Sequence, residues 1–180
     1  ALSLPAVADA ARGFEVRDMA YMDRHSSPTL SPDGRVLVFA KRVVDKATHK
    51  SSTSLWTRNL LTRDMRPPSR LTPEGWNVNS PSFSADGKTV YFMSGKSGSM
   101  QLYSLPIAGG EPTRLTDYAL DVDAYKFSPD GTHVALACAV FPDCKADLTC
   151  TKKKLDDVDA LKTTGKVFDR MFIRHWDTWN

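Results

Sequence analysis

The 180-residue chain is predicted to fold as an all-β protein, a partial β-propeller of four-stranded antiparallel blades, two of them complete. Three observations predict it. A turn signature of an apolar residue, Ser, Pro or Ala, Asp and Gly occurs at Leu30–Gly34, Phe83–Gly87 and Phe127–Gly131, with the aspartates 53 and 44 residues apart. A second marker, Arg-Leu-Thr, occurs at Arg70–Thr72 and Arg114–Thr116, also 44 residues apart. The two markers keep one phase, because 12 residues separate Thr72 from Ser84 and Thr116 from Ser128. Four short strands in about 40–45 residues is the size of one propeller blade.

Residues 1–25 read as an N-terminal extension and 26–180 as the propeller segment, with blades at about 26–72, 80–116 and 124–180. In the first blade Pro32 presets φ, Asp33 suits the next turn position and Gly34 accepts the positive φ that closes a hairpin. The run Val36–Ala40 is rich in residues that favour strands, Ser54–Thr57 supplies the next strand, and Arg70–Thr72 a short edge strand. The first blade is nine residues longer than the second, and the excess is expected in its middle hairpin, around Asp45 to Ser52. In the second blade Val90–Met93, the turn Gly95–Ser99 and the strand Gln101–Leu105 follow in the same order. The third begins alike, with Val134–Ala137, and departs after Val140.

The departure is an insertion over 141–172. Leu155, Val158 and Leu161 recur at helical spacing, which predicts a helix near Leu155–Thr164 with Gly165 as its cap. Alternation at the close of the chain predicts a returning strand over Ile173–Trp179, with Asn180 opening a turn; a helix continued from Phe168 is the competing reading.

Composition excludes several classes. Twenty-four Lys+Arg against 21 Asp+Glu give a net charge of +3, with 41% hydrophobic and 25% charged residues, the profile of an ordinary folded chain without the electrostatic footprint of a nucleic-acid binder. The one dense basic run, Lys152–Lys154, is answered by Asp156, Asp157 and Asp159 and reads as solvated surface. No stretch approaches the roughly 18 apolar residues of a membrane span. The small, apolar start Ala1–Ala10 lacks a basic n-region and reads either as a mature end left by removal of an export signal or as a loose terminus. Cys138, Cys144 and Cys150 are spaced six and six, without C-x-x-C, which disfavours zinc; in an oxidising compartment Cys144 and Cys150 would close a small disulfide loop and leave Cys138 over.

The sequence carries no nucleophile elbow. Gly95-Lys96-Ser97-Gly98-Ser99 has Ser where the last Gly of G-x-S-x-G is required, and its Gly-Lys-Ser has Val90 in place of the first P-loop glycine. His25, His49, His133 and His175 show no metalloprotease spacing and read as surface or packing residues. No catalytic residue, metal or cofactor is assigned.

The markers S-P-D-G and R-L-T, and the hairpin ending Leu102-Tyr103-Ser104-Leu105, resemble the blades of TolB-type propellers and, more closely, the N-terminal propeller of bacterial prolyl-oligopeptidase-family serine peptidases. The opening Val16–Arg24 and Ser26–Gly34 looks like the start of the dipeptidyl or acylaminoacyl peptidase type, and Arg174–Trp179 is similar to an inserted segment of the same enzymes. The resemblance implies that hydrolysis belongs to a C-terminal α/β-hydrolase domain, acting through an acyl-enzyme, while the propeller covers its active site and admits short peptides. It also implies a periplasmic or secreted protein, a cytoplasmic one being the alternative. The rival class is a non-enzymatic TolB-like propeller that binds a protein partner.

Within the resemblance, Arg174, His175, Trp176 and Asp177 are the candidate substrate-binding residues: an Asp pairs with a peptide's α-amino group, and an aromatic residue offers an apolar wall. The other reading has the tryptophans packing the blade while Arg174 and Asp177 satisfy each other. Two blades and part of a third expose faces meant for neighbours, so the chain is expected to be a piece of something longer, marginally stable alone, or associated, a homo-oligomer included.

Overall fold

The computed structural model describes residues 12–61, 67–163 and 165, and the backbone of Arg174–His175 and Thr178–Trp179. The chain divides into two compact units, Ala1–Ala139 and Val140–Asn180.

In the first unit a short helix α1 (Val16–Tyr21) precedes a four-stranded sheet of β1 (Arg24–Leu30), β2 (Val36–Val44), β3 (Ser51–Asn59) and β4 (Ser69–Arg70), in that order. A second sheet comes next with β5 (Val78–Phe83), β6 (Thr89–Ser94), β7 (Gln101–Pro106) and β8 (Thr113–Arg114), again in sequence order. The hairpin β9 (Ala124–Phe127) and β10 (Val134–Ala137) begins a third. All neighbouring strands are antiparallel. These are two complete propeller blades and the first two strands of another.

The three signature turns join the first and second strands of successive sheets and share one Ser-Asp-Gly hydrogen-bond pattern. Gly34, Gly87 and Gly131 have φ of 71°, 70° and 70°. The hydroxyls of Ser31, Ser84 and Ser128 donate to Asp33, Asp86 and Asp130 at 2.6, 2.6 and 2.5 Å. Each serine oxygen accepts in turn from the backbone N–H five residues on, that of Val36, Thr89 or His133, at 2.9–3.0 Å. Serine is therefore required both as donor and as acceptor, and each carboxylate closes the turn by accepting from the N–H two residues on.

The Arg-Leu-Thr markers have an equally local cause. The hydroxyl of Thr72 accepts the N–H of Leu55 and that of Thr116 the N–H of Leu102, both at 2.9 Å, so each threonine serves an amide of the third strand just beyond the two-residue edge strand. Gln101 is fully buried; its amide nitrogen donates to Ser99 Oγ and to the carbonyls of Tyr118 and Leu120, while its oxygen accepts from Thr116 and from the Tyr118 N–H. Every polar atom of that side chain is thus used, which is what its burial demands.

Alternation places Val38, Ala40 and Leu55 on the face of the first blade that meets Val78, Val90, Phe92, Tyr103 and Leu105 of the second, forming one core. Trp76 closes it edge-on against Phe92 and Tyr103, with centroids 6.3 and 5.2 Å away. Each fully buried large side chain stabilises the pair of blades by roughly 1.5–3 kcal/mol before entropy is counted.

The longer first blade carries most of its excess in its middle hairpin, as expected, but in the arms of the hairpin and not in its turn. Its middle turn has the length of its counterpart; the excess lies in the arms, nine residues each in β2 and β3 against six in β6 and β7, and in the β3–β4 connection. The extension runs through regular pairs such as Val43↔Ser52 and Val44↔Ser51, so ladder hydrogen bonds absorb most of the added chain.

In the second unit Pro142–Cys144 form a 3-10 turn, and a disulfide joins Cys144 to Cys150, Cα atoms 5.6 Å apart. Helix α2 spans Leu148–Asp159, displaced from the expected Leu155–Thr164 and ending at Ala160 instead of Gly165. Its start is set by Asp147, whose carboxylate accepts from Thr149 and Cys150 N–H at 2.9 and 3.1 Å, and by the disulfide one turn in. Leu155, Val158 and Leu161 are exposed, so their spacing marks no core. The lysine run is paired: Lys152 with Asp156, Lys153 with Asp157 at 2.6 Å, and Lys154 with Asp143.

The close of the chain is not one strand. β11 (Arg174–His175) pairs antiparallel with β12 (Thr178–Trp179), with Arg174 opposite Trp179 and His175 opposite Thr178. Alternation reports strand habit but not direction. The competing helix from Phe168 lies outside the described residues.

Candidate functional site

A concavity of about 710 Å³ lies between β5 and β9, the leading strands of the second and third sheets. Its geometry begins with a Ser-Pro pair. Ser80 sits at φ 51°, breaking the register of β5 against β6 between Asn79 and Ser82, and Pro81 comes next without an N–H to donate. β1 carries the same device, with Ser27 at φ 50° before Pro28 and a register break between Ser26 and Thr29.

Tyr125 of β9 spans to this bulge. Its hydroxyl lies 2.8 Å from Ser82 Oγ, 2.7 Å from the Ser80 carbonyl and 3.1 Å from the Tyr91 carbonyl. Burial, with a smaller contribution from Tyr91, pushes its phenol up to about 12 against the opposing hydrogen bond from Ser82. The floor is aromatic: Tyr91 stacks on Phe127 at 4.1 Å, and Tyr125 meets Phe127 edge-on at 6.0 Å. Of the lining residues only Asp86 and Lys126 carry charge.

The partners of the groove's bonded serines are poor proton acceptors. Ser82 has a neutral phenol beside it, which cannot take its proton near pH 7. Ser84 and Ser128 face Asp86 and Asp130, whose carboxyls are held below the ordinary range first by those same serine hydroxyls, making them weak bases.

A smaller hollow of about 130 Å³ on the first blade has Trp56 beneath two cations, Lys41 Nζ at 4.8 Å and Arg70 Cζ at 5.6 Å from the ring centre. Both cations are paired, Lys41 with Asp23 at 2.6 Å and Arg70 with Glu74 at 3.0 Å.

Of the residues singled out from sequence, Arg174 and His175 lie on β11, and Trp176 and Asp177 lie outside the described residues. Ser97 lies in the β6–β7 turn, closed by the Gly98 N–H donating to Gly95 at 3.0 Å. His25 meets Phe39 edge-on, His49 Nδ1 is 2.9 Å from the Tyr21 hydroxyl, and His133 Nδ1 is 2.7 Å from Thr132 Oγ1. Among the described residues no group of three or more His, Cys, Asp or Glu is placed to hold a metal ion. The groove between β5 and β9 was missed from sequence. Its signal was present: a Ser-Pro pair whose proline stands three residues before the turn serine, Pro28 before Ser31 and Pro81 before Ser84.

The blades have relatives among known proteins. The chain is 34% identical over 158 residues to Dipeptidyl-peptidase 5 of Porphyromonas gingivalis, covering 88% of this chain and 22% of that protein. A 60-residue stretch is 43% identical to the Tol-Pal system protein TolB of Francisella tularensis subsp. mediasiatica, 33% of this chain and 14% of that one. Among solved structures, a variant of the AtxE2 isopeptidase with Astexin3-dC4 bound shares the fold, with a TM-score of 0.50 at 16% identity over 62% of this chain and 21% of that chain. The chain spans about one fifth of the length of the dipeptidyl-peptidases it matches. Residues 47–141, more than half of the chain, match the family described as dipeptidyl peptidase IV (DPP IV) N-terminal region, and the chain belongs to that family.

Proposed function

We propose that this chain is the propeller portion of a serine exopeptidase, that it controls the access of short peptides to a C-terminal α/β-hydrolase domain, and that the whole protein removes dipeptides. The observation that carries this reading is the reach of the similarity to Dipeptidyl-peptidase 5, which covers 88% of the chain and therefore extends well beyond the blade markers common to many propellers. In that setting the hydrolase domain supplies nucleophile, base and oxyanion donors, and the reaction passes through an acyl-enzyme. The propeller supplies sieving and orientation. Arg174, His175, Trp176 and Asp177 are proposed to face the substrate, the Asp177 carboxylate pairing with its α-ammonium group. An oxidising compartment, periplasmic or extracellular, suits the disulfide between Cys144 and Cys150.

A non-enzymatic binding propeller is the second reading, favoured by the 43% identity to TolB, which is confined to 60 residues. A fluorophosphonate probe applied to the full-length protein, with a panel of dipeptide-releasing substrates after it, separates the two. Labelling of one serine and release of dipeptides is expected. No labelling and no release would favour the binding module.

A further inference from the structure

β1, β5 and β9 hold equivalent places, each leading its sheet and each lying at the sheet's end, so that one row of its backbone N–H and C=O groups faces away from any partner strand of that sheet. Such edges are templates for another strand unless something blocks them. β1 and β5 are blocked twice over, by the register breaks at Ser27 and Ser80 and by Pro28 and Pro81. β9 has neither device. Its four residues pair with β10 in unbroken register from Ala124↔Ala137 to Phe127↔Val134, contain no proline, and border the 710 Å³ groove.

We propose that the free edge of β9 takes up an extended segment of a short peptide by strand addition, with alternate side chains of the peptide entering the groove between β9 and β5. Three features define the ligand class. Main-chain pairing to β9 is indifferent to peptide sequence, as a broad peptide filter requires. The Tyr91–Phe127 stack offers a flat apolar floor for one side chain. The two charges of the lining, Asp86 and Lys126, are of opposite sign, which complements a zwitterionic peptide and neither a polyanion nor a polycation. Tyr125, tied to Ser80 and Ser82, holds β9 at its distance from β5 and keeps the groove open. The choice of a peptide as ligand rests on the peptidase reading; the exposed edge does not.

Hydrogen–deuterium exchange on the full-length protein, treated with a fluorophosphonate so that the probe survives, tests this with the pentapeptide Ala-Val-Thr-Val-Ala. Amides within Ala124–Phe127 are expected to exchange about tenfold more slowly with the peptide present. The β1 and β5 segments should be unchanged, and the same peptide N-methylated at alternate residues should protect nothing. A Tyr125→Pro variant, which places on β9 the block found on β1 and β5, should lose the protection; because it also removes the Tyr125 hydroxyl, the N-methylated peptide is the deciding control. Unchanged exchange at 124–127, or equal protection by the N-methylated peptide, overturns the proposal. Failure of the fluorophosphonate to label overturns the peptidase reading instead, and the protection experiment on the unlabelled protein still decides the strand-addition proposal.

Discussion

Pro32 of the first signature turn lies against Gly87 of the second, so close that a Cβ placed on Gly87 would be 3.3 Å from the Pro32 Cδ. The first two turns therefore touch, and the Pro32–Gly87 contact helps to space the first blade from the second.

This contact makes the three turn glycines unequal in a measurable way. Gly34, Gly87 and Gly131 share a φ near 70°, which costs an alanine about 1–2 kcal/mol at each position. Only at Gly87 does the new methyl also meet a neighbour; nothing lies within 4 Å at Gly34 or Gly131. Urea unfolding of the three Gly→Ala variants is expected to show Gly87→Ala as the most destabilised, and equal losses would mean that the first two turns do not touch.

Tyr125 joins the third sheet to the second through a single hydroxyl. Tyr125→Phe keeps the ring packing on Phe127 but leaves Ser82 and two carbonyls short of a partner, at a cost of about 1–3 kcal/mol in denaturant unfolding. The raised phenol also predicts a pH dependence. The unfolded chain releases this proton near pH 10 while the folded protein holds it to about 12, so this contribution is complete below pH 10 and lost as pH rises through that interval. Ultraviolet titration should find one tyrosine ionising last; if none does, Tyr125 is not enclosed as described.

The turn aspartates predict the opposite dependence in acid. Asp130 is lowered from 3.8 to about 2, first by the Ser128 hydroxyl and then by the Thr132 N–H and hydroxyl, and Asp33 and Asp86 are lowered for the same first cause. A carboxyl depressed in the folded state contributes stability that is present above about pH 4 and lost as the pH falls toward 2. Ser128→Ala should raise the Asp130 titration midpoint in an NMR experiment and flatten the acid limb of the stability curve. An unmoved midpoint would contradict the turn geometry.

The disulfide gives a simple chemical outcome. Alkylation of the unreduced, denatured protein should modify Cys138 alone, and in the folded protein that thiol should react slowly, because burial and then Asp123 push its ionisation up. Cys144→Ser with Cys150→Ser should weaken the second unit by on the order of 2 kcal/mol. Three alkylated cysteines in the unreduced protein would remove the cross-link.

How much of the fold is legible in the residues depends on how local each cause is. The signature turn was legible because Ser, Asp and Gly each answer a demand made within five residues, as in Ser31, Asp33 and Gly34. The Arg-Leu-Thr marker was legible as a repeat, but the role of Thr72 depends on Leu55, 17 residues earlier. Helix α2 starts earlier than apolar spacing suggests because the Asp147 cap outweighs that spacing, and Leu155, Val158 and Leu161 face solvent. The candidate groove was not legible, since Tyr125 acts on Ser80 across 45 residues and on a carbonyl that only the bulge turns toward it.

The most direct measurement of the central claim is an experimental structure of the full-length protein. In it Asp33-Gly34, Asp86-Gly87 and Asp130-Gly131 are expected to be related by one repeated rotation about a common axis, each joining the first two strands of its own sheet. A structure in which β4 and β5 pair within one continuous sheet, or in which the third turn falls off that axis, would contradict it.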